Sequence, residues 1–211
     1  MIGAEWWGLV PYRDALERQR ARRDAARAGS AGEVLCGVEH PPVITTGRRA
    51  VDDVDADRCA AAGFDIVASE RGGLATCHAP GQLVVYCIVD ARPTGVRRLV
   101  EALEGGVLDW LRARGVAAGR RAGAPGVWVE DRKLCAVGLH VSHGWTIHGL
   151  ALNLVNDLSG FGLIVPCGLR DARVGRLADL IGPSTPAPAA AWASLSTCLR
   201  ARVLDARARA R

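Results

Sequence analysis

The chain has almost no lysine. Of its 27 lysine and arginine residues a single one, Lys133, is lysine, so positive charge alone is supplied everywhere else by guanidinium. Arginine cannot lose its proton in a protein, whereas lysine can, so the lone ammonium reads either as a position where a removable proton has a use or as a chance surface lysine in a chain biased towards arginine. Aromatic residues are equally scarce at 5%, which leaves a core of Val, Leu, Ile and Ala. No apolar run approaches the roughly 18 residues of a membrane span. The start, Met1-Ile2-Gly3-Ala4-Glu5-Trp6-Trp7, lacks the charged and apolar regions of a signal peptide, so a cytoplasmic protein with no membrane partner is expected. The seven cysteines form no C-x-x-C pair, which argues against a zinc knuckle and against a complete disulfide set; reduced thiols, with no metal and no cofactor, are expected.

What is present is arginine, and it is concentrated at the ends. Arg18, Arg20, Arg22, Arg23 and Arg27 lie in one Ala-rich stretch, and Arg200, Arg202, Arg207, Arg209 and Arg211 in another. Both read as arginine-lined helices, either solvated faces or a docking surface for an acidic partner. No nucleic-acid-binding signature accompanies them, so a protein partner is the better expectation and nucleic acid is not expected.

At 211 residues and 49% hydrophobic content the chain fits one domain. Helices are predicted over 12–28, closed by Gly29, and over 57–62, and strands over 34–39 and from Phe64 to Val67. A Gly-rich stretch from Arg71 to Gln82 runs into the apolar strand 83–89. Apolar residues recur at three- and four-residue steps from Val96 to Leu111, predicting a core-packed helix between Gly95 and Gly115. The β-rich runs 126–129, 134–141 and 145–155 read as antiparallel strands of a mixed sheet, and 173–181 and 189–209 as helices. The Pro-rich segment 183–188 divides a main domain, 1–182, from a linker and Arg-rich helix, 183–211, packed on it or extending from it.

Cys167 lies between Pro166 and Gly168, where a sharp turn lets a thiol face a cleft; it reads either as a nucleophile or as a buried structural cysteine. His78 and His148 sit beside glycine-containing turns, and either could act as a base or orient a cysteine. Cys77 ranks below Cys167, since adjacent residues on extended chain point to opposite faces and Cys77 adjoins His78. The Gly-rich loop is not a phosphate loop, because G-x-x-x-x-G-K-[ST] is absent.

Taken together, Arg71-Gly72-Gly73 with Thr76, His78 and Pro80-Gly81-Gln82-Leu83, then Lys133 with Gly138, then His148-Gly149-Leu150-Ala151-Leu152-Asn153, then Pro166-Cys167-Gly168 resemble the lipoyl(octanoyl) transferase family, in that family's order. The resemblance runs from about Trp7 to about Leu180. It implies an α/β domain of the α+β type, a mixed and largely antiparallel sheet flanked by helices, like that of the biotin and lipoate ligases. It also implies transfer of an octanoyl group from octanoyl-acyl carrier protein to a lysine on apo lipoyl domains of the 2-oxoacid dehydrogenase E2 and of the glycine cleavage H protein. By position, Cys167 is the nucleophile that carries the acyl group as a thioester, and Lys133 is its partner. The acyl tunnel is lined by Arg71, Gly72, Gly73, Leu74, Ala75, Thr76, Cys77 and His78, by Ala136, Val137 and Gly138, and by Gly149, Leu150 and Ala151. Backbone N–H groups near Cys167 and in the Gly-rich loop are candidate oxyanion donors. An ATP-dependent lipoate ligase, a non-catalytic relative that binds lipoyl domains and a cysteine hydrolase using His78 or His148 are the alternatives.

The chain departs from the family pattern in three places. Cys77 replaces a tyrosine and Ala79 a glycine of Thr-Tyr-His-Gly-Pro-Gly-Gln, and Val174-Gly175-Arg176-Leu177 replaces Val-Thr-Ser-Leu. The smaller Cys77 is expected to widen the pocket wall, and Ala79 to be strained if its φ is positive.

Overall fold

The computed structural model describes residues 1–49, 54–164 and 173–210. Its strands are β1 (Gly3–Leu9), β2 (Val34–Glu39), β3 (Val43–Thr46), β4 (Asp65–Ala68), β5 (Thr76–His78), β6 (Gln82–Ile88), β7 (Gly119–Arg121), β8 (Ala124–Val129), β9 (Arg132–Ser142), β10 (Trp145–Asn153) and β11 (Arg173–Val174). The helices are α1 (Tyr12–Arg27), α2 (Ala56–Ala61), α3 (Val96–Arg112), α4 (Ala178–Ile181) and α5 (Pro188–Ala208). An eight-stranded sheet runs β1-β2-β6-β10-β9-β8-β7, with β11 added beside β9; a three-stranded sheet runs β4-β3-β5. In the large sheet β1 pairs with β2 and β11 with β9 in parallel, and the remaining pairings are antiparallel.

One face of the large sheet carries α3 and α5. The apolar stripe of α3 supplies Leu99, Leu103, Val107 and Leu111, which meet Leu83, Val85 and Leu152 from the sheet and Leu195, Leu199 and Val203 from α5 in one core. The two helices come close because α3 has Gly106 at their crossing, where a methyl group would stand 2.9 Å from the Leu199 Cα. The C-terminal helix thus shares the main core. The opposite face is covered by α1, with Ala15 against Val38, Val84 and Tyr86, and by the small sheet, where Tyr12, Leu16, Val43, Val67 and Ile147 form a second cluster.

The helix expected over 173–181 is corrected. Arg173 and Val174 pair with Arg132 and Lys133 as β11, and only Ala178–Ile181 is helical. The Gly175 N–H also continues this pairing by donating to the Lys133 carbonyl at 3.1 Å. Strands β1, β3, β5 and β7 carry no prediction above; they are short, or broken by glycine and charge, and pairing rather than pattern makes them strands. The arginines of α1 and α5 are largely engaged within the chain. Arg20 pairs with Glu70 at 2.9 Å, Arg22 with Glu5, Arg202 with Asp109 at 2.6 Å and Arg207 with Glu33 at 2.6 Å, while Arg211 lies outside the described residues. Among the described residues no helix is long and apolar enough to cross a membrane.

Candidate active site

Lys133 opens β9, and the face it occupies is set by a bulge. Val127 pairs with Cys135 but Trp128 with Lys133, so Leu134 is an extra residue on β9. Leu134 and Cys135 both enter the main core, and Lys133 emerges on the other face beside Ala136 and Gly138. Simple alternation would have put Lys133 with Cys135 in the core. The side chain is 8% exposed and lines a cavity of ≈ 550 Å³, within the range of small-molecule sites.

The floor of that cavity is made of small residues. Ala136 pairs with Ala151 and Gly138 with Gly149 across β9 and β10, so these floor residues raise nothing larger than a methyl group between Lys133 and the far wall. The roof is the loop that follows β4. The Gly72 N–H donates to the Leu139 carbonyl at 3.1 Å, and a methyl group on Gly138 would stand 2.9 Å from the Gly72 carbonyl oxygen, so roof and floor meet only because Gly138 has no side chain. That bond takes the Gly72 N–H out of the set of oxyanion donors.

A buried chain of hydrogen bonds ties the roof to the strand beside Lys133. Arg71 donates to Thr45 Oγ1 from Nε at 3.1 Å and from Nη2 at 3.0 Å, and Thr45 Oγ1 lies 3.5 Å from His78 Nε2. His78 Nδ1 contacts Gln82 Oε1 at 2.7 Å, Gln82 Nε2 donates to Asn153 Oδ1 at 2.8 Å, and Asn153 Nδ2 donates to the Gly175 carbonyl at 3.0 Å. Since Gln82 Oε1 can only accept, His78 carries its proton on Nδ1 and accepts on Nε2. Burial lowers the His78 pKa to about 3, so the ring is neutral and a weak base.

The far wall is a cluster of imidazoles and phenols. His40 Nδ1 faces the Val10 carbonyl at 2.6 Å and Nε2 the Tyr86 hydroxyl at 2.6 Å; the carbonyl fixes the proton on Nδ1, and the Tyr86 hydroxyl donates to Nε2. The Tyr12 ring stacks on His78 with centroids 5.9 Å apart. His148 joins this cluster by a backbone distortion. Strand alternation assigns its side chain to the α3 face, but a φ of +60° turns it to the α1 side, where Nδ1 is 3.5 Å from the Tyr12 hydroxyl and Nε2 3.9 Å from Glu70. Its N–H is held by Gln19 Oε1 at 2.7 Å. Burial lowers the pKa of His40 to about 4 and that of His148 to about 3.

Cys77 points away from this cavity, into a cluster with Ile44, Cys59, Ala75 and Ile164, and burial raises its pKa to about 12. The expectation that it widens the pocket wall is therefore corrected, because β5 turns His78 and Thr76 inward and Cys77 outward. Ala79 is not among the residues with positive φ; in its loop Gly81, at +89°, has that conformation. Among the described residues no group of three or more His, Cys, Asp or Glu side chains could hold a metal ion.

Residues 11–196 match the lipoyl protein ligase A/B catalytic domain family. The chain belongs to that family. An octanoyltransferase of Nitratidesulfovibrio vulgaris (strain DSM 19637 / Miyazaki F) is 44% identical over 184 residues, covering 85% of this chain and 84% of its own. An octanoyltransferase of Chloroflexus aurantiacus (strain ATCC 29366 / DSM 635 / J-10-fl) is 44% identical over 189 residues, covering 86% and 85%. The fold is similar to that of a bi-partite lipoate protein ligase from Thermoplasma acidophilum, with a TM-score of 0.69 at 18% identity over 98% of this chain and 84% of that one. The α+β domain with a largely antiparallel sheet is thus the fold of the lipoate and biotin ligases.

In this lipoyl protein ligase A/B domain the residues expected to line the site, Arg71 to Thr76, His78, Lys133, Ala136 to Gly138 and Gly149 to Ala151, border one cavity. Cys77 is excluded from it, and Cys167 lies outside the described residues. Tyr12 and Tyr86 complete the far wall, with His40 behind Tyr86, without any sequence prediction; the signal for Tyr86 is a hydroxyl in an otherwise apolar strand. Gln82 is 1% exposed and holds both halves of the hydrogen-bonded chain together. Gln82→Leu leaves the buried His78 Nδ1–H without its acceptor at a cost of about 1–3 kcal/mol, while Asn153 Oδ1 keeps the bond donated by Asn156 Nδ2 at 3.2 Å. A urea titration is expected to show that loss, and unchanged stability would contradict the chain of bonds.

Proposed function

We propose that the protein is an octanoyltransferase of lipoate biosynthesis, carrying the acyl group on Cys167 between octanoyl-acyl carrier protein and a lysine of an apo lipoyl domain. The E2 component of 2-oxoacid dehydrogenases and the glycine cleavage H protein are the acceptors. The observation that carries this reading is the single lysine of the chain, buried on the wall of a cavity whose floor is glycine and alanine and whose roof is a clamped Gly-rich loop. The relatives named octanoyltransferase share most of their length with it.

The thiolate of Cys167 attacks the carbonyl carbon of the carrier's thioester; a carbon–sulfur bond forms to Cys167 and the bond to the carrier thiol breaks. The Lys133 ammonium stabilises the thiolate by its charge and gives a proton to the departing carrier thiolate. The acceptor lysine then attacks as a free amine, neutral Lys133 takes its excess proton, and the C–Sγ bond breaks to leave an amide and a thiolate beside an ammonium once more. One group that alternates between charged and neutral serves both halves.

Three features support these roles. Val174 pairs with Lys133, so the chain that bears Cys167 re-enters the described structure beside the lysine. Cys77 is a poor thiolate at neutral pH because burial raises its pKa to about 12. His78 and His148, each lowered to about 3, are too weakly basic to drive a hydrolase. Incubation with octanoyl-acyl carrier protein and an apo lipoyl domain, without ATP, is expected to give the octanoylated domain. A requirement for ATP with free octanoate identifies a ligase, and release of octanoate without transfer identifies a hydrolase; either contradicts the reading.

A further inference from the structure

Lys133 reaches the cavity over an aromatic face. Its cross-strand neighbour in the β8–β9 hairpin is Trp128, and Nζ lies 4.7 Å from the centroid of the Trp128 ring. The indole is 3% exposed, and its Nε1–H donates to the Ala124 carbonyl at 3.0 Å, which fixes the orientation of the ring. The lysine stem crosses Gly126, where a methyl group would stand 3.5 Å from Cε. Arg121 of β7 brings its guanidinium carbon to 5.2 Å from the same ring centroid. The chain has six tryptophans and two phenylalanines, and the face with the strongest attraction for a cation stands beside its single lysine.

We propose that Trp128 is a positioning residue for the transfer reaction, holding the Lys133 head group over its indole face and favouring the ammonium form in which it stabilises the nucleophilic thiolate. The inference rests on the acyl-transfer reading given above. An aromatic face attracts an ammonium and not a neutral amine, so the ring acts differently in the two halves of the reaction: in acylation it favours the charged form that holds the thiolate and opposes release of its proton to the departing carrier, and in acceptor attack it favours uptake of the amine's proton. Among the described residues, the charged or titratable groups near this lysine include Arg121 on β7, Glu104 on α3, and Cys135, Arg132 and the Asp131–Arg173 pair on β9, its turn and β11. Glu104 is anchored by Arg120 at 2.8 Å and by the Gly126 N–H at 2.7 Å, so it stays in place when the ring is changed.

The test compares wild-type protein, Trp128→Phe and Trp128→Met, and wild-type protein grown with ring-fluorinated tryptophan, whose ring keeps its shape while its attraction for cations weakens. Single-turnover acylation by octanoyl-acyl carrier protein is followed against pH. The alkaline limb of the acylation profile is expected to move to lower pH by about half to one unit in Trp128→Met, less in Trp128→Phe, and in the fluorinated protein in proportion to the lost attraction. Fluorination of the Trp128→Phe protein, which labels the remaining tryptophans alone, is expected to leave its limb in place. An alkaline limb unmoved in the fluorinated wild-type protein, which retains its fold, overturns the inference even if Trp128→Met fails to fold. Absence of any acyl-enzyme in the wild-type protein overturns the acyl-transfer reading itself, which keeps the two failures apart.

Discussion

Lys133→Arg is expected to reduce octanoyl transfer by at least about 100-fold while leaving the fold in place, the loss ordinarily seen when a positioned acid–base group is removed. Charge is retained, so the first half-reaction keeps a cation near the thiol. What is lost is the removable proton: guanidinium gives none to the departing carrier, which can leave as its thiolate, and takes none from the incoming amine, which cannot form the amide without losing it. The acyl-enzyme is therefore expected to form and persist, and rapid mixing of the acylated variant with an apo lipoyl domain measures the loss directly. Near wild-type transfer in the variant would refute the proton-acceptor role. Loss of acylation together with transfer would show that charge placement, not proton uptake, is the main contribution.

A second large effect is expected in acid. His40, His78 and His148 have pKa values lowered to about 4, about 3 and about 3, against an ordinary value of 6.5. Each is neutral in the folded protein and takes up a proton on unfolding at any pH between those limits. The unfolded chain thus binds more protons, and stability present above about pH 6.5 is lost as pH falls towards the folded values. The slope approaches about 1.4 kcal/mol per pH unit for each imidazole. With three in one cluster, and a total stability on the order of 5–15 kcal/mol, unfolding is expected near pH 5. The cluster adds cooperativity, since the His40 and His78 rings are 5.7 Å apart and a charge on one opposes a charge on the next. Carboxylates held down by arginines, such as Asp90 and Asp109, release their contribution only at still lower pH, below the usual carboxylate range. Urea midpoints measured from pH 7 to pH 5 test this, with His40→Gln expected to flatten the slope by about a third. Equal slopes in the two proteins would contradict the burial of neutral imidazoles.

Much of this site was legible in the sequence because its parts lie within short motifs. Arg71 to His78, Lys133 to Gly138 and His148 to Ala151 each occupy one short stretch of chain, and three- and four-residue steps from Val96 to Leu111 marked the helix that supports the sheet. What escaped was parity. The spacing of Lys133 from Ala136 puts them on opposite faces of a regular strand, and only the extra residue Leu134 brings them together. His148 likewise belongs to the α3 face by alternation, and a single positive φ moves it to the wall formed by Tyr12 and Glu70. Neither a bulge nor a left-handed residue leaves a mark in hydrophobic periodicity, since each alters one position. The hydrogen-bonded chain from Arg71 to Gly175 was also hidden, because it links residues from four separate segments and none of its bonds is implied by spacing. The ion pairs of the arginine-rich ends were hidden for a different reason: composition counts charges but not partners, and Glu33, Glu70 and Asp109 come from distant parts of the chain.

The most direct measurement is the intact mass of the protein after brief exposure to octanoyl-acyl carrier protein, followed by mapping of the adduct. One hydroxylamine-labile octanoyl group on the peptide containing Cys167, lost on addition of an apo lipoyl domain and absent from Cys167→Ser, is the result expected. Transfer that proceeds with no enzyme adduct, or with the acyl group on another residue such as Cys77, would contradict it.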